Sequence, residues 1–195
     1  AGSYDSLMAA LNAGCDEAIL LTDRKFAGSD TWATSYVLAL ALRKLGQYDV
    51  VLCGKQASDG DTAQVGPGIA SHNDMPQVTF VKKIDEISAE KAKVERMTEE
   101  GFEIIETPIP CIITVVKEIN VPRLPSLKGK IKAKTAVITK WNAEDIGCNP
   151  KEIGLEGSPT RVVKIFSPPP RKGGEILKGA TEDVVNALVE NLKDI

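Results

Sequence analysis

Three short apolar runs, Ala18-Ile19-Leu20-Leu21, Asp49-Val50-Val51-Leu52-Cys53 and Gln77-Val78-Thr79-Phe80-Val81, alternate with helix-period segments and so restrict the chain to few architectures. Each run is too short for a helix and is bounded by polar residues, as expected of strands buried on both faces. Leu7, Met8 and Leu11 recur at helical spacing over residues 3–13, and Gly14 supplies a C-terminal stop. Ser29 or Asp30 can cap a second helix, along which Trp32, Tyr36, Ala39, Leu40 and Leu42 form a broad apolar stripe until Gly46. Strands alternating with helices at this spacing predict an α/β fold with a doubly wound, mainly parallel sheet.

Beyond Lys82 the texture changes. Ile84–Ile87, Ala92–Met97, Gly101–Glu106 and Cys111–Val116 are short strand-like runs, with a hairpin turn expected at Glu99-Glu100-Gly101. They predict an antiparallel extension at one side of the sheet. From Val121 to Pro170 there is little periodicity and much Pro and Gly, including Ser167-Pro168-Pro169-Pro170. Such a segment drapes over another surface, so residues 142–166 and the prolines 167–170 are expected to bury little against their own domain. Thr181–Leu192 closes the chain as an amphipathic helix. Residues 1–140 are therefore read as an α/β domain, and 141–195 as a C-terminal arm and helix. With no initiator methionine, and a first helix that no strand precedes, the start reads as truncated.

Composition removes several function classes. The net charge is −3, which gives no bias toward nucleic acid or an anionic membrane, and no apolar run nears the roughly 20 residues of a membrane span. Cys15, Cys53, Cys111 and Cys148 contain no CxxC pair, so neither a disulfide framework nor a zinc site is expected, and a reducing cytoplasm is the default. A single histidine, His72, excludes chemistry that needs several imidazoles and reads as a helix-terminal dipole partner. Trp32 and Trp141 read as packing residues, and Cys53 as a small core residue with no base to activate it.

The second strand runs into Gly54–Gly68. Where a parallel strand ends and a helix begins, backbone N–H groups and the helix dipole form an anion site. Gly54, Gly60 and Gly66 permit close backbone approach and positive φ, Asp61 with Gln64 resembles a capping box, and Thr62 offers a hydroxyl. Pro67 requires that the helix start near Gly66, or start at Asp61 and bend. The loop is neither GxGxxG nor a P-loop, and Asp59 and Asp61 would repel a pyrophosphate unless they point away. By itself it suits a nucleotide site and an ordinary strand-to-helix turn equally.

The stretch Gly54-Lys55-Gln56-Ala57-Ser58-Asp59-Gly60-Asp61-Thr62-Ala63-Gln64-Val65-Gly66-Pro67 resembles the nucleotide-wrapping segment of electron transfer flavoprotein small (beta) subunits. Pro122-Arg123-Leu124-Pro125-Ser126-Leu127-Lys128-Gly129, Thr31-Trp32-Ala33-Thr34, Gly157-Ser158-Pro159-Thr160-Arg161-Val162 and Lys172-Gly173-Gly174 extend the resemblance over most of the chain. The family's first two strands and the helix between them are absent. The resemblance implies a Rossmann-like, adenine-nucleotide-binding fold and a large (alpha) subunit as partner. It implies a cofactor contacted by Gly54, Lys55, Gln56, Asp59, Gly60, Asp61, Thr62, Ala63, Gln64, Val65 and Gly66. Conventional members hold AMP there. Members with Gly and Thr at the positions of Gly60 and Thr62 hold FAD and take electrons from NADH, one going to a low-potential acceptor such as ferredoxin or flavodoxin and the other to a dehydrogenase. The steric argument is that a small glycine and a compact threonine let a flavin continue where AMP stops, which favours FAD. Arg123, Leu124, Pro125 and Leu127 match the family's recognition loop for acyl-CoA dehydrogenases, with Leu127 as its anchor. The electron-carrier role needs no acid, base or nucleophile from this chain. A nucleotide-binding or ATP-cleaving domain of similar topology is the rival reading, and it explains neither residues 121–134 nor 157–174. The lysines 128, 130, 132, 134 and 140 lack interleaved aromatics and suit an acidic partner surface better than nucleic acid.

Overall fold

The computed structural model describes residues 2–169, 174 and 176–193, so Pro170, Lys172 and Gly173 of the motifs above lie outside the described residues. Residues 1–161 form one compact unit and residues 162–195 a second.

In the first unit, α1 (Gly2–Ala13) leads to β1 (Ile19–Leu21), α2 (Thr31–Leu45), β2 (Val50–Gly54) and α3 (Val65–Asn73). Then follow β3 (Gln77–Ile87), β4 (Lys91–Met97), β5 (Phe102–Pro108), β6 (Cys111–Val115), α4 (Leu127–Thr135) and β7 (Thr139–Trp141). Five strands form one sheet in the order β2-β6-β3-β4-β5. The β2/β6 and β6/β3 ladders are parallel and the β3/β4 and β4/β5 ladders antiparallel, so the expected parallel sheet with an antiparallel extension is present. A separate parallel pair joins β1 to β7.

Two details differ from the sequence expectation. Residues 77–87 form one long strand, which serves the parallel half with its first residues and the antiparallel half with its last. The Cys111 run belongs to the parallel half, inserted between β2 and β3. Its first four residues are buried, which suits a strand covered on both faces.

Ile112, Ile113, Val81, Val94 and Cys111 are fully buried, and α2 and α3 cover Ile112 with Ala39, Ile69 and Ala70. Asp30, not Ser29, caps α2, accepting the Ala33 N–H at 3.0 Å. Residues 142–158 depart from the draped arm expected of them. Ala143, Ile146 and Ile153 are buried against Val37 and Ala41 of α2. The Asp30 N–H donates to the Ser158 hydroxyl at 2.9 Å, and the Thr160 N–H and hydroxyl donate to the Asp30 carboxylate at 3.0 and 2.8 Å. The stretch lacks periodicity because it packs through turns, yet it belongs to the core.

The helix α4 also lies where none was expected. Ser126 caps it by accepting the Gly129 N–H at 3.0 Å, and only Ala133 is buried, so no apolar stripe marks it. In the second unit, residues 162–169 carry no regular structure, and α5 (Thr181–Lys193) presents Val185, Leu188, Val189 and Leu192 half-exposed on one face.

Candidate functional site

The carboxyl end of β2, the loop after it and the first turn of α3 enclose a cleft of about 370 Å³. Gly54, Lys55, Gln56, Gly60, Thr62, Ala63, Gln64, Val65 and Gly66 line it, together with Ala57 and with Thr31 of α2. The helix starts at Val65, so Pro67 occupies its first turn, where its missing N–H costs nothing. The capping box read at Asp61 and Gln64 does not form: Gln64 is the N-cap residue and its side chain makes no capping bond. Instead its Oε1 accepts the Thr31 hydroxyl proton at 2.8 Å, which ties α2 to the loop.

The glycines behave differently from the expectation of positive φ. The left-handed residues are Asp61 (φ 49°) and Ala63 (φ 54°). Gly66 is required for packing, because a Cβ there would lie 2.4 Å from the Thr114 methyl group in β6. Gly54 and Gly60 face open space, with no atom within 4 Å of an added Cβ, so the cleft runs past both backbones.

The charges are sorted. Asp59 and Asp61 belong to the expected cofactor set, yet neither lines the cleft. The Asp59 carboxylate accepts the Gly60 N–H at 2.9 Å, and the Asp61 carboxylate accepts a proton from the Gln56 amide. Lys55 is the one charged residue among the described residues of the lining. A single ammonium beside the amino end of a nine-residue helix gives the cleft an anion-attracting character. Burial pushes the Cys53 thiol up, which keeps it protonated and unreactive.

A second cleft of about 330 Å³ shares Thr31 and Gln64 with the first and adds Asp30, Trp32, Ser35, Gly68, Pro159 and Thr160. Trp32, read from the sequence as packing, is half-exposed on this wall, with its indole 4.4 Å from the His72 ring. Thr31 was outside the expected cofactor set; it lies 33 positions from Gln64, and no local spacing reveals the contact. A hollow of about 260 Å³ between α2, β2 and β7 is lined by Leu38, Leu42, Leu45, Val51, Leu52 and Trp141, with little polar to orient a nucleotide. Among the described residues no group of His, Cys, Asp and Glu could hold a metal, and no helix is long and apolar enough to cross a membrane.

The segment before α4 is organised in the opposite sense. The Arg123 Nε–H donates to the Ala13 carbonyl at 2.7 Å, a favourable placement of a cation at the C-terminus of α1. Leu124 and Leu127 point away from the fold, 91% and 77% exposed, and Pro125 between them is exposed as well. Lys132 of α4 pairs with Asp16 at 2.8 Å.

Parallel strand ends, a helix amino end and a lone ammonium around an open cleft place the chain among α/β proteins that open a cleft at the carboxyl ends of their parallel strands. The profile of the electron transfer flavoprotein domain matches residues 1–146. The beta subunit of the electron transfer flavoprotein of Thermoanaerobacterium thermosaccharolyticum is 50% identical over 188 residues, which is 96% of this chain and 72% of that protein. Subunit CarD of the caffeyl-CoA reductase-Etf complex of Acetobacterium woodii is 49% identical over 191 residues, 97% of this chain and 72% of that protein. The Megasphaera elsdenii beta subunit is 45% identical over 196 residues, with 97% and 72% covered. The chain belongs to the electron transfer flavoprotein family, among its beta subunits. Membership implies electron transport in company with an alpha subunit and a redox partner.

Proposed function

We propose that the chain is the small subunit of a cytoplasmic bifurcating electron transfer flavoprotein, with FAD in the cleft after β2 and NADH as electron donor. The acceptors are a flavin-dependent dehydrogenase, such as an acyl-CoA dehydrogenase, and ferredoxin or flavodoxin. The observation that carries the reading is the sorting of charge around Gly60: open space beside its Cα, both neighbouring carboxylates tied back, and Lys55 as the one charge in the lining. An acid at position 60 would enter that space. A flavin held there would accept two electrons and release them singly. The residues of this chain contribute positioning: the α3 amino end and Lys55 for the diphosphate, Thr31, Thr62 and Gln64 for hydroxyl and ring contacts. The relative CarD carries in its name a complex with an acyl-CoA reductase, which supports a dehydrogenase of that class as partner.

We assign cofactor binding to residues 1–140 and contact with the large subunit to 141–195, of which residues 142–158 also pack on α2. The second unit supports that contact, with Val163, Ile165 and Phe166 exposed and the apolar face of α5 half-exposed. The test is an absorption spectrum and nucleotide analysis of the purified complex with its large subunit. Flavin on both subunits is the expected result, and AMP in place of the second flavin overturns the reading.

A further inference from the structure

Phe80 breaks the rules of the strand it sits in. It holds φ at 58°, a left-handed value that a bulky aromatic residue adopts only when its surroundings impose it. The β3/β6 ladder is irregular between Val78 and Val81, so Phe80 stands at the break. Its N–H is not lost, because the Thr114 hydroxyl of β6 accepts it at 3.1 Å. Thr114 is almost completely buried, and its methyl group is the atom that forbids a side chain at Gly66. One threonine therefore touches both the start of α3 and the irregular turn of β3. The turned Phe80 ring comes to lie 5.2 Å from the Lys55 ammonium, within cation–π range, while the Lys55 N–H is fixed to the Val115 carbonyl at 2.8 Å.

We propose that Phe80 is a positioning residue, which holds the Lys55 ammonium against the cleft so that it meets the anionic phosphate of the nucleotide bound there. Thr114 is the bracket that keeps Phe80 turned. The inference rests on the cleft being the nucleotide site and adds to that reading a source of affinity outside the loop. Val78 and Val81, near Phe80 in β3, belong to the core cluster, and Phe80 is not among its members.

The test is a double-substitution cycle in the full-length chain complexed with its large subunit, with AMP and FAD as probes. Lys55→Met and Phe80→Leu should each weaken binding, with the loss from Phe80→Leu about two- to fivefold, the span of a cation–π contact. The double variant should be no weaker than Lys55→Met alone, since Phe80 acts through Lys55. Phe80→Leu should also flatten the salt dependence of binding, because a disordered ammonium neutralises less charge, and Phe80→Tyr should restore it. A role confined to packing would lower thermal stability with an unchanged salt dependence. Additive losses, or that pattern, overturn the proposal. If Phe80→Leu does not fold, Lys55→Met must by itself remove most of the salt dependence, and if it does not, the proposal fails. If neither AMP nor FAD binds the unmodified complex, the nucleotide reading falls and takes this inference with it; binding with an additive cycle sinks the inference alone.

Discussion

The loop of residues 54–66 and the segment of residues 121–127 both lead from a strand-rich region into a short helix, yet they treat charge and apolar surface in opposite ways. The first ties its carboxylates to its own amides, seats its helix hard against Thr114 and leaves open space at Gly60. The second ties its one guanidinium to the end of α1 and leaves two leucines in solvent, before and at the start of a helix that buries a single alanine. A small ligand needs a rigid concave wall with unspent polar groups. A protein partner needs a convex apolar anchor on a braced backbone. The contrast fits the proposed roles, a cofactor cleft for the first region and a docking surface for the second.

The sharpest way to break the contrast is to fill the space. Gly60→Asp should remove the flavin from this chain while the large-subunit flavin and the melting temperature stay as they were, because no protein atom lies near the new Cβ. Retained flavin, measured by its absorbance and by mass spectrometry, would show that the space serves no cofactor.

Leu127→Ala should slow electron delivery to the dehydrogenase by roughly ten- to hundredfold in apparent affinity, the consequence of about 1–3 kcal/mol of lost burial in the partner. Because Leu127 is already 77% exposed, unfolding temperature and flavin content should not move. A core leucine would instead cost about 2–5 kcal/mol of stability. A variant that melts early and loses flavin would make the two regions alike.

Gly66→Ala sits on the opposite side of the contrast. A methyl group 2.4 Å from a buried side chain forces α3 outward, at about 1–3 kcal/mol, so the melting temperature should fall by roughly 2–10 °C and nucleotide affinity with it. Unchanged melting would mean that the loop helix is as loosely seated as α4.

The smallest effect concerns the wall of the second cleft. Burial raises the Asp30 carboxyl, but bonds from Ala33 and Thr160 outweigh it and hold the group below the ordinary value of 3.8. A carboxylate depressed in the folded state stabilises above the unfolded value and loses that contribution as pH falls through the folded one. Asp30→Ala should therefore cost about 1 kcal/mol near neutral pH, and the gap should close as pH drops below 3.8. Parallel denaturant titrations at neutral and acid pH measure it; a gap that persists in acid would remove the carboxylate from the wall.

Much of this was legible in the sequence because it is local. Strand β2, the glycines after it and the helix that follows carry their signal within 20 residues, and a cap at Ser29 or Asp30 and the stop at Gly46 are read from neighbours. What escaped is non-local or unpatterned. Nothing in Cys111–Val115 states that it lies between β2 and β3, since parallel partners are set by a crossover and not by a turn. Helix α4 escaped because lysines alternate where a stripe would be expected, and its one buried residue leaves no periodicity. Residues 142–158 looked like an arm because packing through turns has no period. Positive φ was expected of the loop glycines, whereas it falls on Asp61 and Ala63 and, outside the loop, on Phe80.

The position of β6 has a consequence for biosynthesis. Of the five strands in the sheet it is the last to emerge from the ribosome, yet it occupies the place between β2 and β3. Until residue 115 has been made, the β2 edge has no neighbour in this sheet and β3 can pair only with β4. The meander β3-β4-β5 closes through short turns and is free to assemble early, while the parallel half waits for a contact that spans about sixty residues of chain. The nascent protein thus passes through a stage with an open, apolar strand edge, the state most exposed to mispairing and most in need of a chaperone's cover.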